Sequence, residues 1–462
     1  MRSQRSRVCL GVLAAFTMLV AACGDDDDSD AAGDDDSASA DVAATAGEAS
    51  SPASSEAAAD GEPVTLSILH AATPADIELM GVLTDRYTEL HPNVTFEFET
   101  HPGGEEGDNL VKTKLATGEM NDIFYYNSGS LLQALSPDRT IEPLTGDPAL
   151  ETVSEGFLPA VTFNDEIYGV PAGPGFAGGI LYNRDIYADL GLEVPKTWAE
   201  FEANNEAIKA AGIPPVLATY ADAWTAQLFV LADYYNVAQQ APDFTEQYTN
   251  NKAKYATTPA ALQGFQRLAE GAEKGWYQDD YLSTTHVDGL GMLARGEVAQ
   301  YPMLSVVVPA IEADNPGTAE KIGFFAQPSD SADINGATLW LPNALYIAEN
   351  SEHKDAAKDF LRWVTSIESA EYVMSKIPPT GPIVLEGVTL PDTVLPVVKD
   401  VQAYVDSGHA SPALEFLSPV KGPGLPQISV EVGSGIRDAE DGAATYDDDV
   451  EKQAKQLGLE GW

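Results

Sequence analysis

From Val64 onward, apolar and polar positions alternate in blocks that change period. Val64-Thr65-Leu66-Ser67-Ile68-Leu69 is β-rich and mostly apolar, the pattern of a buried parallel strand. Leu79, Leu83, Tyr87 and Leu90 recur at helical spacing and predict a helix over Ala75 to Leu90. His91-Pro92 stops it, because the residue before proline avoids the α region. Val94 to Phe98 reads as a second strand, Asn109 to Thr117 as a helix, and Asn121 to Tyr126 as a third strand. Strand, helix, strand, helix, strand implies a parallel sheet with right-handed crossovers. Ligands bind such sheets beyond the C-terminal strand ends, which points to His70 to Thr73 and to Tyr126 to Ser130.

Ahead of this body the chain has another character. Arg2, Arg5 and Arg7 precede an apolar run from Val8 to Ala22, shorter than the ~20 residues of a comfortable membrane span. Charge, apolar run and small residues are the parts of a signal peptide, expected over residues 1–22. Val20-Ala21-Ala22-Cys23 resembles the bacterial lipobox, in which the cysteine is acylated and becomes the new N-terminus. Of the two cysteines, Cys9 lies in the removed part, so Cys23 has no disulfide partner in its own chain, and acylation uses its thiol. Residues 23–62 then form the lipidated Cys and an acidic tether. Gly24 to Glu62 hold 13 acids, no Lys or Arg and no aromatic residue, too little hydrophobicity to offset the entropy of ordering.

Charge and motif spacing remove several classes of function. The formal net charge is −47 at pH 7, which disfavours nucleic acid and anionic membrane surfaces and leaves the lipid anchor as the membrane contact. The six histidines (70, 91, 101, 286, 353, 409) lack metal-ligand spacing, and Asp25 to Asp28 lacks the spacing of an EF-hand loop. The glycines from Gly173 to Gly179 are not followed by Gly-Lys-Ser/Thr, so they form no phosphate loop, and the body has no Gly-x-Ser-x-Gly elbow or Cys nucleophile. No metal and no cofactor is expected. The 400 residues from Pro63 onward exceed one small core and imply two domains.

Several short motifs then appear in order. Leu115-Ala116-Thr117-Gly118-Glu119-Met120-Asn121-Asp122-Ile123-Phe124 is followed by Tyr168-Gly169-Val170-Pro171 and Leu181-Tyr182-Asn183-Arg184-Asp185. Gly191-Leu192, Pro195-Lys196-Thr197-Trp198 with Phe201, Gly296-Glu297-Val298-Ala299 and Asp355-Ala356-Ala357-Lys358-Asp359-Phe360-Leu361 come next. This series resembles the extracellular solute-binding lipoproteins of ABC importers, family 1, the sugar-binding, maltose-binding-protein-like class; Asn121 stands where that family usually has Pro. Read from the residues alone, the motifs are mostly scaffold. Thr197 with Glu200 fits a capping box, Gly212 ends the helix that follows, and Trp198 and Phe201 are core candidates. Ala357, Phe360, Leu361 and Val364 make an apolar helical face. Tyr182 and Asn183 are expected to begin a strand that braces the hinge.

The resemblance implies an α/β, two-lobed periplasmic-binding-protein-like fold (type II) with the ligand in the interlobe cleft. Lobe 1 is expected over 63–172 plus 340–395, and lobe 2 over 175–338 plus 398–462. Crossings are expected near Ala172 to Gly175, Leu339 to Asn343 and Val394 to Asp400. A sugar needs flat apolar faces for its C–H surfaces and planar polar groups for its hydroxyls. The candidates are His70, Thr73, Tyr126, Asn127, Ser128, Gly173, Phe176, Asp222, Trp224, Met303, Ser305 and Trp340. Tyr220 lies beside Asp222, and Tyr301 two residues before Met303.

The implied function is capture of a sugar or oligosaccharide and delivery to ABC permease subunits, by a monomer anchored on the extracytoplasmic face of the bacterial cell membrane. A polyamine or metal chelate is the alternative solute. A secreted carbohydrate-active enzyme is the rival class; adjacent acids such as Asp279-Asp280 give no evidence for it, because a glycosidase dyad is defined by separation in space. The lipobox generates a direct prediction. Cys23→Ala should abolish incorporation of a tagged fatty acid in growing cells, and equal labelling of variant and parent would refute the anchor.

Overall fold

The computed structural model describes residues 61–462 except 103 and 460. The expected signal peptide, Cys23 and the tether as far as Asp60 lie outside the described residues.

The first lobe is built on β1 (Val64–Ala71), β2 (Val94–His101), β3 (Ile123–Asn127), β4 (Gly169–Pro171) and, from far along the chain, Asn343–Ile347. β1 pairs in parallel with β2 and β3, and Asn343–Ile347 runs antiparallel between β3 and β4. The parallel strands are linked by α1 (Pro74–Leu90) and α2 (Gly104–Thr117). Alternation along β1 decides what covers each face. Leu66 and Ile68 pack with Met80, Leu83 and Tyr87 of α1 and with Phe360, whereas Leu69 packs with Val111 and Leu115 of α2. The Ala357, Phe360, Leu361, Val364 face is buried as its spacing predicts. Burying a side chain such as Phe360 contributes about 1.5–3 kcal/mol.

Asp122, from the first of the ordered motifs, stitches this sheet together. One carboxylate oxygen accepts from the Ser67 amide at 2.9 Å and hydroxyl at 2.7 Å, and the other accepts from the Ser351 hydroxyl at 2.6 Å. Burial works against its charge, but these donors outweigh burial and hold the carboxyl below its ordinary range.

The second lobe centres on β5 (Phe176–Asn183). β6 (Gln300–Leu304), β7 (Ile322–Phe325) and β8 (Ala337–Trp340) all pair antiparallel with β5. β9 is the Asn343–Ile347 strand of the first sheet, and β10 (Ala410–Pro412) runs parallel to β8. Thr197 and Glu200 form the expected capping box, and Trp198 and Phe201 are buried. Tyr182 and Asn183 end β5 rather than begin a strand. The Asn183 side chain stops it by accepting from the Asp185 and Ile186 amides and so starting the next helix.

Two crossings fall where the motifs place them. β4 passes to β5 through residues 172–175, and β8 passes to β9 through 341–342. The third does not lie at Val394 to Asp400. Pro396 opens a helix, Pro396–Asp406, that packs on the second sheet: its Asp400 carboxylate accepts from the Phe324 amide at 2.8 Å and its Tyr404 hydroxyl from the Ala326 amide at 3.1 Å. The passage between lobes therefore comes before Pro396, after Leu385 has bridged to Val153.

A buried ion pair braces the second lobe. Arg267 donates to Asp233 at 2.7 Å with both side chains almost wholly buried, and the guanidinium lies 4.9 Å from the Trp198 ring centre. Burial pushes the Asp233 carboxyl up, and Arg267 pulls against it. Removing one partner strands the other charge, so Arg267→Met should cost about 3–5 kcal/mol in urea unfolding, with much of the loss recovered in the Asp233→Leu/Arg267→Met double variant. A single variant within 1 kcal/mol of the parent, roughly the value of an exposed pair, would show that the pair is not a brace.

Candidate binding site between the lobes

Strand direction places the site. β1, β2, β3 and β4 run towards the crossings, so their C-terminal ends line one rim. β6, β7 and β8 oppose β5, which starts at a crossing, and β10 follows β8; all four therefore end at the facing rim. Thr73, Ser128, Gly173 and Ser305 lie in the segments just after these strands, and His70, Tyr126, Asn127, Phe176, Met303 and Trp340 on the strands themselves.

One group gathers at the crossings. Phe176 and Trp340 are register partners on β5 and β8, with rings 8° from parallel and centres 6.3 Å apart. Gly178 makes room for this arrangement, since a Cβ there would collide with the Trp340 indole. The indole N–H donates to Glu415, whose other oxygen accepts from Lys421 at 2.5 Å. The buried Ser305 hydroxyl accepts from the Ala177 amide at 3.0 Å. From the first lobe, the Ser128 hydroxyl donates to the Leu341 carbonyl at 2.5 Å and its amide to the Pro342 carbonyl at 2.9 Å. The Asn127 carbonyl accepts from the Tyr346 hydroxyl at 3.1 Å. Tyr126 donates to Asp108 at 2.8 Å, and burial raises its phenol pKa. Gly173, with φ of +83°, lies on the first crossing.

A second group lies beside β6, following the segment in which Val216 pairs in parallel with Gln300. Trp224 is 38% exposed and meets the His286 ring edge-on at 4.9 Å. The Asp222 carboxylate accepts from the His286 amide at 2.6 Å, at the start of the helix His286–Arg295. The His286 ring bonds the Tyr301 hydroxyl at 2.9 Å, which in turn bonds Thr219 at 2.6 Å.

Three candidates stand apart from these groups. Thr73 caps α1 by accepting from the Asp76 amide at 3.1 Å, and its hydroxyl donates to the Asp76 carboxylate at 2.6 Å. His70 is buried; its ring donates to the Ala71 carbonyl at 2.9 Å and meets Phe98 edge-on. Met303 is fully buried on β6. Sequence reasoning missed Glu415, Phe416 and the bracing role of His286. Phe416 packs so closely on Gly129, whose φ is +66°, that no Cβ fits there. Nothing local in the sequence links positions 340 and 415.

Phe176 and Trp224 present partly exposed rings, the Trp340 indole is buried, and Asp222 and Glu415 are fixed by hydrogen bonds. Among the described residues no His, Cys, Asp or Glu group is placed to hold a metal ion, and no helix is long and apolar enough to cross a membrane.

Two α/β lobes joined by short crossings, with strand ends converging on one cleft, define the two-lobed type II binding-protein fold. The apo form of RafE from Streptococcus pneumoniae superimposes with a TM-score of 0.71 at 21% identity, over 86% of this chain and 99% of that one. A chitin oligosaccharide binding protein does so with a TM-score of 0.62 at 23% identity, over 86% and 100%. The multiple sugar-binding protein of Streptococcus mutans is 23% identical over 312 residues, 67% of this chain and 72% of the relative. Residues 73–371 match the family described as bacterial extracellular solute-binding protein, and the chain belongs to that family.

The second group carries a pH signature. Burial lowers the His286 pKa below its ordinary value of about 6.5, against the opposing pull of Asp222. The folded protein thus takes up this proton less readily than the unfolded chain. Its contribution to stability is present above pH ~6.5 and is lost as pH falls from there towards the lowered value. Urea midpoints at pH 7.5 and 5.0 should therefore drop further in the parent than in His286→Gln. Equal drops would show that the ring does not couple to folding.

Proposed function

We propose that this protein captures a sugar or oligosaccharide in the cleft between its lobes and hands it to the permease subunits of an ABC importer. The observation that carries this reading is the parallel Phe176–Trp340 pair at the crossings, with Glu415 fixed against the indole. Flat aromatic faces suit the C–H faces of a pyranose, and carboxylates accept from its hydroxyls. Trp224 and Asp222 supply a second ring and carboxylate further along the rim. Family membership supports delivery to an importer, and the names of the Streptococcus mutans relative and of the chitin oligosaccharide binding protein support a sugar.

In this reading lobe 1 is 63–172 plus the chain from 341 to the passage before Pro396, and lobe 2 is 175–340 plus the chain from Pro396 to 462. The lobes close on the ligand by rotation at the crossings and release it unchanged. The protein acts as a monomer without a cofactor. Signal cleavage at residue 22 and acylation of Cys23 hold it on the outer face of the cell membrane, and the acidic segment to Glu62 serves as a spacer.

A thermal-shift screen against mono- and oligosaccharides identifies the ligand, since one present at a hundred times its Kd stabilises by about 2.7 kcal/mol. Calorimetric titration of that ligand then tests the rings. Trp224→Ala should weaken binding by ~30-fold, the equivalent of a hot-spot loss of about 2 kcal/mol, with an unchanged melting point because the ring is half exposed. Trp340→Ala should lower both affinity and stability, because the indole is also packed against Gly178. Unchanged affinity in Trp224→Ala and Phe176→Ala would sink the aromatic site. Turnover of the bound sugar would instead favour an enzyme.

A further inference from the structure

A cavity of about 270 Å³ opens beside the first crossing, and Phe176, Trp224 and Trp340 take no part in its walls. Leu79 and Leu83 of α1 form one side, and Val373 and Met374 of the helix Ile367–Lys376 form the other. Residues 172–174 of the crossing close the third side. An apolar cavity of ~150 Å³ already accommodates benzene, so this one has room for a ring and a short head group.

Its charged groups are few and of one sign. Asp76 and Glu78 are the charged residues of the lining, beside the hydroxyl-bearing Tyr125 and Thr380, and no Lys, Arg or His stands there; Asp76 already accepts from the Thr73 hydroxyl, which leaves Glu78 the freer acceptor. Ser369 also lines it, and its hydroxyl oxygen is wholly buried without a hydrogen-bond partner in the protein. A buried hydroxyl left unpaired costs free energy that a ligand's polar atom would recover. Apolar walls, with carboxylates as the charged groups and hydroxyls beside them, suit an occupant with a compact apolar body and a cationic head.

We propose that this cavity is a second ligand site for a small amine with an apolar body, sharing Gly173 of the crossing with the cleft candidates but none of their aromatic rings. The body lies between Leu79, Leu83, Val373 and Met374, the head faces Asp76 and Glu78, and the Ser369 hydroxyl gains a partner. One wall is the crossing itself, so rotation of the lobes alters the site. An occupant that prefers one lobe arrangement shifts affinity in the cleft, and the cleft ligand shifts affinity here by the same factor.

Calorimetric titration of the mature protein with benzylamine, benzyl alcohol and benzoate at pH 7 tests the site. Benzylamine should bind saturably and at least tenfold more tightly than benzoate, with benzyl alcohol between them. Glu78→Gln should weaken benzylamine and leave benzyl alcohol unchanged. Ala370→Phe, which fills the cavity, should abolish binding of both; if that variant does not fold, Ser369→Val should weaken both. Phe176→Ala and Trp224→Ala should leave benzylamine binding intact, which separates this site from the cleft. Absence of saturable binding, benzoate as tight as benzylamine, or loss of benzylamine binding in Phe176→Ala would each overturn the proposal.

Discussion

One antiparallel ribbon passes from the first sheet into the second, and the rest of the molecule is arranged around it. In the first lobe it pairs Gly169 with Tyr346 and Pro171 with Ala344; in the second it pairs Phe176 with Trp340 and Gly178 with Thr338. Four residues separate Pro171 from Phe176 on one strand, and three separate Trp340 from Ala344 on the other. The one-residue excess is a bulge-like offset, and Gly173, with its positive φ, supplies a backbone conformation that a side chain would strain. The offset breaks the ladder between the lobes, so the ribbon can bend there while each half stays paired within its own sheet.

On the proposed reading, this placement ties recognition to the hinge. Phe176 and Trp340 are the first residue pair of the ribbon inside the second sheet, so their rings move with the crossing and not with a surface loop. Ser128 anchors the first lobe to the other crossing through Leu341 and Pro342. Trp224 is held differently, by a chain that runs through His286, Tyr301 and Thr219. Pre-positioned rings lower the ordering cost that binding would otherwise carry.

The ordered motifs that resemble the family turn out to serve the scaffold. Asp122 clamps Ser67 and Ser351, Asn183 starts a helix, and Thr197 with Glu200 caps another. Each satisfies backbone or hydroxyl groups that would be costly to bury unpaired. Such motifs identify the fold with little regard to ligand. The side chains facing the cleft lie mostly between them.

The order of strands and helices in the first lobe was legible in the sequence, because hydrophobic period and proline punctuation are local properties. The helix from Pro74 and the strands beginning at Val64 and Val94 follow from residues within a few positions of one another. The Phe176 and Trp340 candidates were legible as aromatic residues beside loop signals, and the first two crossings as Gly- and Pro-marked joins or motif boundaries. Their parallel stacking was not. It depends on the register of two strands more than 150 positions apart, and on Gly178 leaving space for an indole. Thr73 reads equally well as a ligand contact or a helix cap until its hydrogen bonds to Asp76 are seen. Glu415 reaches Trp340 only because β10 lies beside β8, and the valines after Pro396 form a helix packed on the second sheet where the resemblance implied a crossing. The sequence by itself determined the first lobe's elements, since period and capping act along the chain, and its ordered motifs carried the resemblance that implied the two-lobed class. Only the tertiary structure decided which side chains share the cleft, since strand register and close packing act between segments far apart in sequence.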